Sequence, residues 1–312
     1  MENASTLHFL AGVTASGKSE LALEWAESRD GEILSCDSIA IYQGMDLGSA
    51  KPTVDERKRV PHHGLDLVEA GQGYDVSQYE RYARKVVDDV CARGRNLLVV
   101  GGSGFYLHSF FEPIIDEVEV TDKIREQVAD LYAKKQIAGL LDRLKELNEG
   151  EPLGLDERNP QRLQRALERC LGSGLKLSEL RERFQSLPAP YPSFRKECIW
   201  LDRTDEDLEE RIEKRTLAMI RKGLVEETES LVEQGFLANH SASSSVGYRE
   251  AYAFLRNEIP RSDLIPSICR STRQLVAKQR KWFRKRFPPE SRVLLDATSI
   301  VRADELKWCS GT

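Results

Sequence analysis

The chain has 312 residues, 40% of them hydrophobic, with a formal net charge of −5. This length suits one large or two modest domains with a sizeable core. No apolar stretch approaches the ~18 residues that a membrane span needs, and the net acidity by itself argues mildly against a nucleic-acid partner.

Taken in chain order, the first expected strand is the apolar run 7–11. It delivers Gly12-Val13-Thr14-Ala15-Ser16-Gly17-Lys18-Ser19, which matches G-x-x-x-x-G-K-[ST], and helical spacing follows over 19–28. The glycines let successive backbone N–H groups converge on a phosphate with no Cβ in the way. The helix N-terminus adds partial positive charge, Lys18 supplies a point charge, and Ser19 offers a hydroxyl to Mg²⁺. A diphosphate or triphosphate is the expected ligand.

A second strand is expected at 32–36, ending on Asp37-Ser38, and the turn-rich stretch from Asp37 to Pro52 has the character of a binding lip. Helical spacing returns at 77–93, and a third strand at 96–100 runs into Gly101-Gly102-Ser103-Gly104. Alternating strand and helix indicate a parallel sheet with crossover helices. Its ligand belongs at the carboxyl ends of the strands. Many P-loop ATPases carry an aspartate where this chain has Gly101-Gly102, so the site is expected to bind phosphates without activating water against them. Asp37 has three assignments: a Mg²⁺ ligand, a general base beside the phosphates, or a solvated turn residue.

From about residue 120 to 184 the strand signal disappears, and 122–131, 137–147 and 160–171 have helix spacing with many charges. The prolines of Pro188-Ala189-Pro190-Tyr191-Pro192 close this insertion. A strand resumes at 198–201, helices are expected at 205–222, 225–234, 246–255 and 262–287, and a last strand at 293–295. The expected fold is α/β: a P-loop NTPase-like parallel-sheet core made of residues 1–115 and 195–312, with an all-helical insertion domain at 116–194.

Between Pro260 and Arg292 ten bases, Arg273 among them, face only Asp263 and Glu290. Such segregation builds a local phosphate-binding face on an acidic protein. Arg270, Arg273, Arg280 and Arg284 fall on one helix face, with Ile268, Leu275 and Trp282 expected as the buried face. Arg211 and Arg215, one turn apart, are either anion ligands or surface ion-pair partners. His62-His63 is assigned to packing. The six cysteines are scattered with no Cys-x-x-Cys pair, which suits reduced thiols. With no basic-then-apolar leader at the start, a cytoplasmic protein is expected.

Beyond the P-loop motif, the chain carries Asp37-Ser38-x-x-x-Tyr42, Asp46-x-Gly48-Ser49-Ala50-Lys51-Pro52, Pro61-His62-His63 and Gly101-Gly102-Ser103-Gly104-Phe105-Tyr106 in that order. Pro160-Gln161-Arg162, Val246-Gly247-Tyr248-Arg249-Glu250 and Thr272-Arg273-Gln274 follow. Over nearly its whole length the chain thereby resembles the tRNA dimethylallyltransferases, or tRNA isopentenyltransferases, of the short bacterial type.

The resemblance implies transfer of a dimethylallyl group from dimethylallyl diphosphate to N6 of the adenine 3′-adjacent to the anticodon, in tRNAs reading codons that begin with U, with Mg²⁺. It implies that Gly12, Val13, Thr14, Ala15, Ser16, Gly17, Lys18, Ser19 and Arg211 hold the diphosphate, with the metal on Ser19. Asp37 would take the N6 proton, and Lys18 and Ser103 would complete the catalytic set. Asp37, Ser38, Ile39, Ala40, Ser103, Arg125, Gln161, Arg162, Leu163, Gln164, Arg165 and Arg273 would touch the tRNA anticodon stem-loop. No membrane partner and a monomer are expected.

The chain departs from the family pattern at four places. Ser103 replaces threonine, Asn159 replaces aspartate, Val276-Ala277 replaces Ala-Lys, and the segment from Ser241 to Ser245 is richer in serine. Three other functions compete: a free-adenylate isopentenyltransferase, a small-molecule P-loop kinase, and a non-catalytic RNA-binding module. The helical insertion and basic helix favour a polynucleotide acceptor over a mononucleotide. The glycine strand end disfavours the kinase, and the intact P-loop disfavours the non-catalytic module.

Overall fold

The computed structural model describes residues 5–114, 118–296, 298–299 and 301–310. The chain forms two compact units, one comprising Met1–Glu112 with Pro190–Thr312 and the other Pro113–Ala189.

The first half of the sheet unit contains β1 (Thr6–Gly12), α1 (Lys18–Ser28), β2 (Gly31–Cys36), α2 (Val54–Arg59), β3 (His62–His63), α3 (Val76–Ala92), β4 (Asn96–Gly101) and α4 (Gly104–His108). The helical unit holds α5 (Asp122–Leu147), α6 (Pro160–Ser173) and α7 (Leu177–Gln185). The chain then returns through β5 (Arg195–Arg203), α8 (Asp205–Arg221), α9 (Leu224–Glu233), α10 (His240–Ser243), α11 (Tyr248–Leu255), α12 (Arg261–Arg286), β6 (Arg292–Leu295) and β7 (Cys309–Ser310).

The sheet runs β3-β2-β4-β1-β5-β6, every neighbouring pair parallel, with β7 antiparallel on β5. Pairing of Cys36 with Gly101, Ala11 with Gly101 and Gly12 with Leu201 brings the carboxyl ends of β2, β4, β1 and β5 into line. Side chains alternate between the two faces, as the strand period of two requires. Phe9, Ala11, Leu34, Cys36, Val99 and Trp200 enter the core shared with α3, α8 and α12. Leu10, Ile33, Leu98 and Ile199 enter a second core with α1 and the segment around Trp308. Both faces are covered, so the sheet is a P-loop α/β core.

Sequence periodicity missed α2, α4, α7 and α10, which are short or lie in turn-rich sequence. In α2 the hydrogen bonds come from a capping box, Thr53 with Glu56, and none of the helix's own residues is buried. α5 breaks at Gln136, whose φ of 52° is left-handed, which divides it near the two expected segments. In the helical unit Asn159 caps α6 by accepting the Arg162 N–H at 3.2 Å, so an amide there performs the cap as well as a carboxylate. Tyr191 lies in the sheet unit, stacked on Phe110 at 5.3 Å.

His62 Nδ1 meets the Val60 carbonyl at 2.8 Å and His63 Nε2 meets Glu32 at 2.7 Å, so both histidines serve the edge of the sheet. All six cysteines are free. Among the described residues no helix is long and apolar enough to cross a membrane.

Candidate active site

The loop after β1 is shaped by close packing at one end and left-handed backbone at the other. A β-carbon on Gly12 would lie 2.7 Å from the Leu201 carbonyl oxygen and 3.1 Å from Lys18 Cδ, so only glycine fits. Ala15 and Gly17 take φ of 63° and 94°, which turns the chain into α1. Among the described residues no acceptor meets the N–H groups of Gly17, Lys18 or Ser19. They are the free donors of a helix start, suited to an anion.

Two arginines hold the carbonyls of this loop. Arg203 Nε donates to the Ser16 carbonyl at 2.9 Å, and Arg211 Nε donates to the Ala15 carbonyl at 2.8 Å. Arg203 is buried and paired with Asp207. The fully buried Asp202 accepts from Arg280 at 2.8 Å and from Arg292 at 2.6 Å. Arg211, expected on the diphosphate, braces the phosphate loop at Ala15 and lies beside Gly17, whereas Arg215, one turn on, lines the cavity itself.

That cavity, of about 230 Å³, is lined by Thr14, Lys18, Ser19, Asp37, Arg215 and Gln279, with Ile39, Ile212, Met219, Ile268 and Leu275 as apolar wall. Lys18 Nζ donates to the Val13 carbonyl at 2.7 Å. Burial and then the Arg215 charge push the Lys18 ammonium down to about 7, against the opposing pull of Asp37. Burial also lowers the Arg215 guanidinium, and Asp37 again opposes. Lys18, Lys51 and Arg215 thus share the cavity wall with the carboxylates of Asp37 and Glu56, which leaves basic groups in excess.

Asp37 follows β2 directly. Its Oδ1 accepts the N–H groups of Ile39 at 2.8 Å and Ala40 at 3.2 Å, which fixes the carboxylate on its turn. Ser103 Oγ accepts the Ser38 N–H at 2.9 Å and donates to Ser38 Oγ at 3.1 Å, so Ser103 bonds Ser38 and not Asp37. A second cavity, of about 740 Å³, is lined by Asp37, Ser38, Ser103, Phe105, Lys278 and Trp282 among others. Asp37, Ile39, Gly102, Ser245, Val246, Leu275 and Gln279 line both cavities.

Gln279 was not singled out from the sequence. Its Oε1 accepts the Thr14 N–H at 2.9 Å and its Nε2 donates to the Gly102 carbonyl at 3.1 Å. A local signal existed: Gln279 continues the face of Thr272 and Leu275 on α12. The expectation that Leu275 and Trp282 form the buried face is corrected, since α12 buries Leu264, Ile268, Cys269, Val276 and Phe283. Leu275 and Trp282 form cavity wall instead. The four-arginine stripe also divides. Arg280 is bound to Asp202, Asp205 and the Arg203 carbonyl, whereas Arg273 pairs with Glu209 and stays exposed.

The lip from Asp37 to Pro52 is locked rather than loose. The buried Lys51 ammonium meets Asp46 at 2.9 Å, Asp66 at 2.6 Å and the Tyr42 carbonyl at 2.6 Å. Tyr248 packs flat on Gly48, where a β-carbon would come within 2.2 Å of its ring, and its hydroxyl accepts the Gly48 N–H at 3.1 Å and donates to Glu227. Gly48 and Lys51 line the first cavity, so these motif contacts fix part of its wall.

Of the expected RNA contacts in the helical unit, Gln161, Arg162 and Arg165 are exposed on α6 and Gln164 is half-buried. Arg165 pairs with Glu168, and Arg125 with Asp122 on α5. Leu163 is corrected: it is fully buried in the core of that unit, so its side chain is not available to RNA. Among the described residues no cluster of three His, Cys, Asp or Glu forms a metal cage.

The IPP transferase family model matches residues 40–286. A tRNA dimethylallyltransferase of Opitutus terrae is 45% identical over 287 residues, covering 92% of each chain. One from Geobacter metallireducens is 35% identical, covering 91% of each. Among solved structures, the tRNA delta(2)-isopentenylpyrophosphate transferase of Staphylococcus epidermidis superposes with a TM-score of 0.65 at 28% identity, covering 95% of this chain and 94% of that one. A eukaryotic dimethylallyltransferase acting on tRNA shares the fold with a TM-score of 0.77 at 24% identity, covering 95% of this chain and 74% of its own.

Proposed function

The chain belongs to the IPP transferase family, and on that premise we propose that it moves a dimethylallyl group from dimethylallyl diphosphate to N6 of the adenine 3′-adjacent to the anticodon of tRNA, releasing pyrophosphate. The observation that carries this proposal is the position of Asp37, on the wall of both cavities. One cavity has the cations, loop donors and apolar wall that suit an allylic diphosphate. The other admits the acceptor.

In the step proposed, the N6 lone pair forms a bond to C1 of the allyl group. The C1–O bond breaks with its electron pair on the departing pyrophosphate, and the N6 proton passes to Asp37. Lys18, Arg215 and the free N–H groups of Gly17, Lys18 and Ser19 meet the charge that grows on the leaving group. Ile212, Met219, Ile268 and Leu275 offer apolar contact to the prenyl tail. Ser103 acts through Ser38, holding the turn that carries the base.

Mg²⁺ suits the oxygen donors here, because it takes one or two protein oxygens, substrate phosphates and waters rather than a full protein cage. Ser19 would hold it, and the ion would neutralise charge on the leaving diphosphate.

A small-molecule kinase would use the same loop, but Gly101 and Gly102 stand where its metal-holding aspartate is expected, and a β-carbon on Gly101 would lie 2.0 Å from the Cys36 carbonyl oxygen. The test is incubation of the purified protein with unmodified tRNA, Mg²⁺ and labelled dimethylallyl diphosphate, followed by nucleoside mass analysis. Prenylated adenosine from the anticodon loop is expected. In parallel incubations with AMP or ATP, transfer to AMP alone, or consumption of ATP with no prenyl transfer, would replace this proposal with one of its competitors.

A further inference from the structure

Phe105 is 60% exposed, and it stands on the wall of the second cavity. A single exposed aromatic is ordinary on a protein surface, so exposure alone decides nothing. Its setting decides more. Tyr106 and Leu107, the next two residues of α4, are buried, and Tyr106 stacks on Tyr79 with ring centroids 4.2 Å apart. The preceding Gly104 lies flat on the Trp282 indole, where a β-carbon would come within 2.4 Å of the ring. Packing on both sides therefore holds the backbone of residue 105, while its ring is left to solvent. Lys278, on the same cavity wall, is exposed as well. The same cavity is also lined by Ser241, Ser244 and Ser245, each with a hydroxyl.

A rigidly mounted aromatic face, an exposed cation and three hydroxyls lining one cavity match the chemistry of single-stranded RNA. Its bases stack on aromatic rings, its phosphates meet cations, and its riboses take hydroxyl contacts. Asp37 lies in the same cavity, and an adenine must reach it for its N6 to lose a proton. The exposed ring on the same cavity wall is then placed for a base other than the one that reaches Asp37. We propose that Phe105 is a positioning residue that stacks on the nucleotide adjacent to the target adenine and thereby holds the strand in register with Asp37. This inference rests on the tRNA-prenylation proposal. It goes beyond that proposal by assigning a contact to a residue outside the reacting centre.

The test uses the full-length protein with an anticodon stem-loop RNA. In Phe105→Ala the KM for RNA should rise about tenfold, the loss of one base–aromatic stack, while kcat and the affinity for dimethylallyl diphosphate stay within about twofold. Phe105→Trp should restore the KM. Placing 5-iodouridine on either side of the target adenine and irradiating should cross-link a peptide containing Phe105 from one flanking position. An unchanged KM in Phe105→Ala, or cross-links that map away from Phe105, would overturn the inference while wild-type prenylation of the RNA continued. Wild-type protein that neither binds nor prenylates the RNA would overturn both proposals together.

Discussion

The Thr14 N–H donates to Gln279 Oε1 at 2.9 Å across 265 residues of sequence. The other end of the same amide donates to the Gly102 carbonyl, so one side chain of α12 ties the phosphate loop to the end of β4. A β-carbon on Gly102 would lie 2.5 Å from Gln279 Nε2, which explains the glycine. Gln279→Leu keeps the bulk and removes both bonds. Each lost bond leaves a half-buried backbone group unpaired, so stability should fall by about 1–2 kcal/mol. The KM for dimethylallyl diphosphate should rise more than the KM for tRNA, as steady-state kinetics with either substrate varied will measure.

Lys18 gives a prediction about protons. Burial first, then Arg215, holds its ammonium at about 7 in the free protein, while Asp37 opposes. An arriving diphosphate favours the charged form and raises the group again. Above pH 7 donor binding should therefore take up to about one proton, and donor affinity should weaken as pH rises from 7 towards 9. Titration calorimetry at pH 8 in two buffers of different ionisation enthalpy measures the uptake. Lys18→Met should abolish it.

Glu32 provides the acid-side counterpart, near the start of β2. The hydrogen bond from Arg93 holds its carboxyl down to about 2, burial opposes, and His63 assists. A depressed carboxyl contributes stability that is fully present above its usual value near 4.5 and is lost as pH falls towards 2. Glu32→Gln should cost about 3 kcal/mol at pH 7, because Arg93 and Arg95 lose a buried partner. The difference from wild type should shrink across that acid window in chemical denaturation.

Two bases of α12 should behave oppositely. Arg280 is held by Asp202, Asp205 and a backbone carbonyl, so Arg280→Met should lower stability by about 2–3 kcal/mol and leave the salt dependence of tRNA binding unchanged. Lys278 is exposed on the wall of the second cavity. Lys278→Glu should leave stability within about 0.5 kcal/mol and reduce the salt slope of tRNA binding by about one. Thermal melts and binding isotherms at several salt concentrations separate the two.

Much of this site was legible in the residues because local chemistry wrote it there. Gly12, Gly17, Lys18 and Ser19 sit at spacings that only a strand-loop-helix satisfies, and Asp37 ends an apolar strand. The rest depended on partners distant in sequence. Arg211 and Arg215 differ by one helical turn, and only the packing of α8 shows that the first braces the loop while the second enters the cavity. Leu275 and Trp282 have the spacing of a core face, yet the space they face is a cavity. Arg280 looks like its neighbours until Asp202, 78 residues away, is found beneath it.

The central claim is that Asp37 serves both cavities as the proton acceptor, and Asp37→Asn tests it most directly. Asparagine keeps an oxygen for the Ile39 and Ala40 N–H groups, so the turn survives while the base is lost. Single-turnover prenylation of tRNA should slow at least about a hundredfold, with dimethylallyl diphosphate affinity within about threefold of wild type. A variant that retains its single-turnover rate, or loses rate only in proportion to donor affinity, would contradict the account.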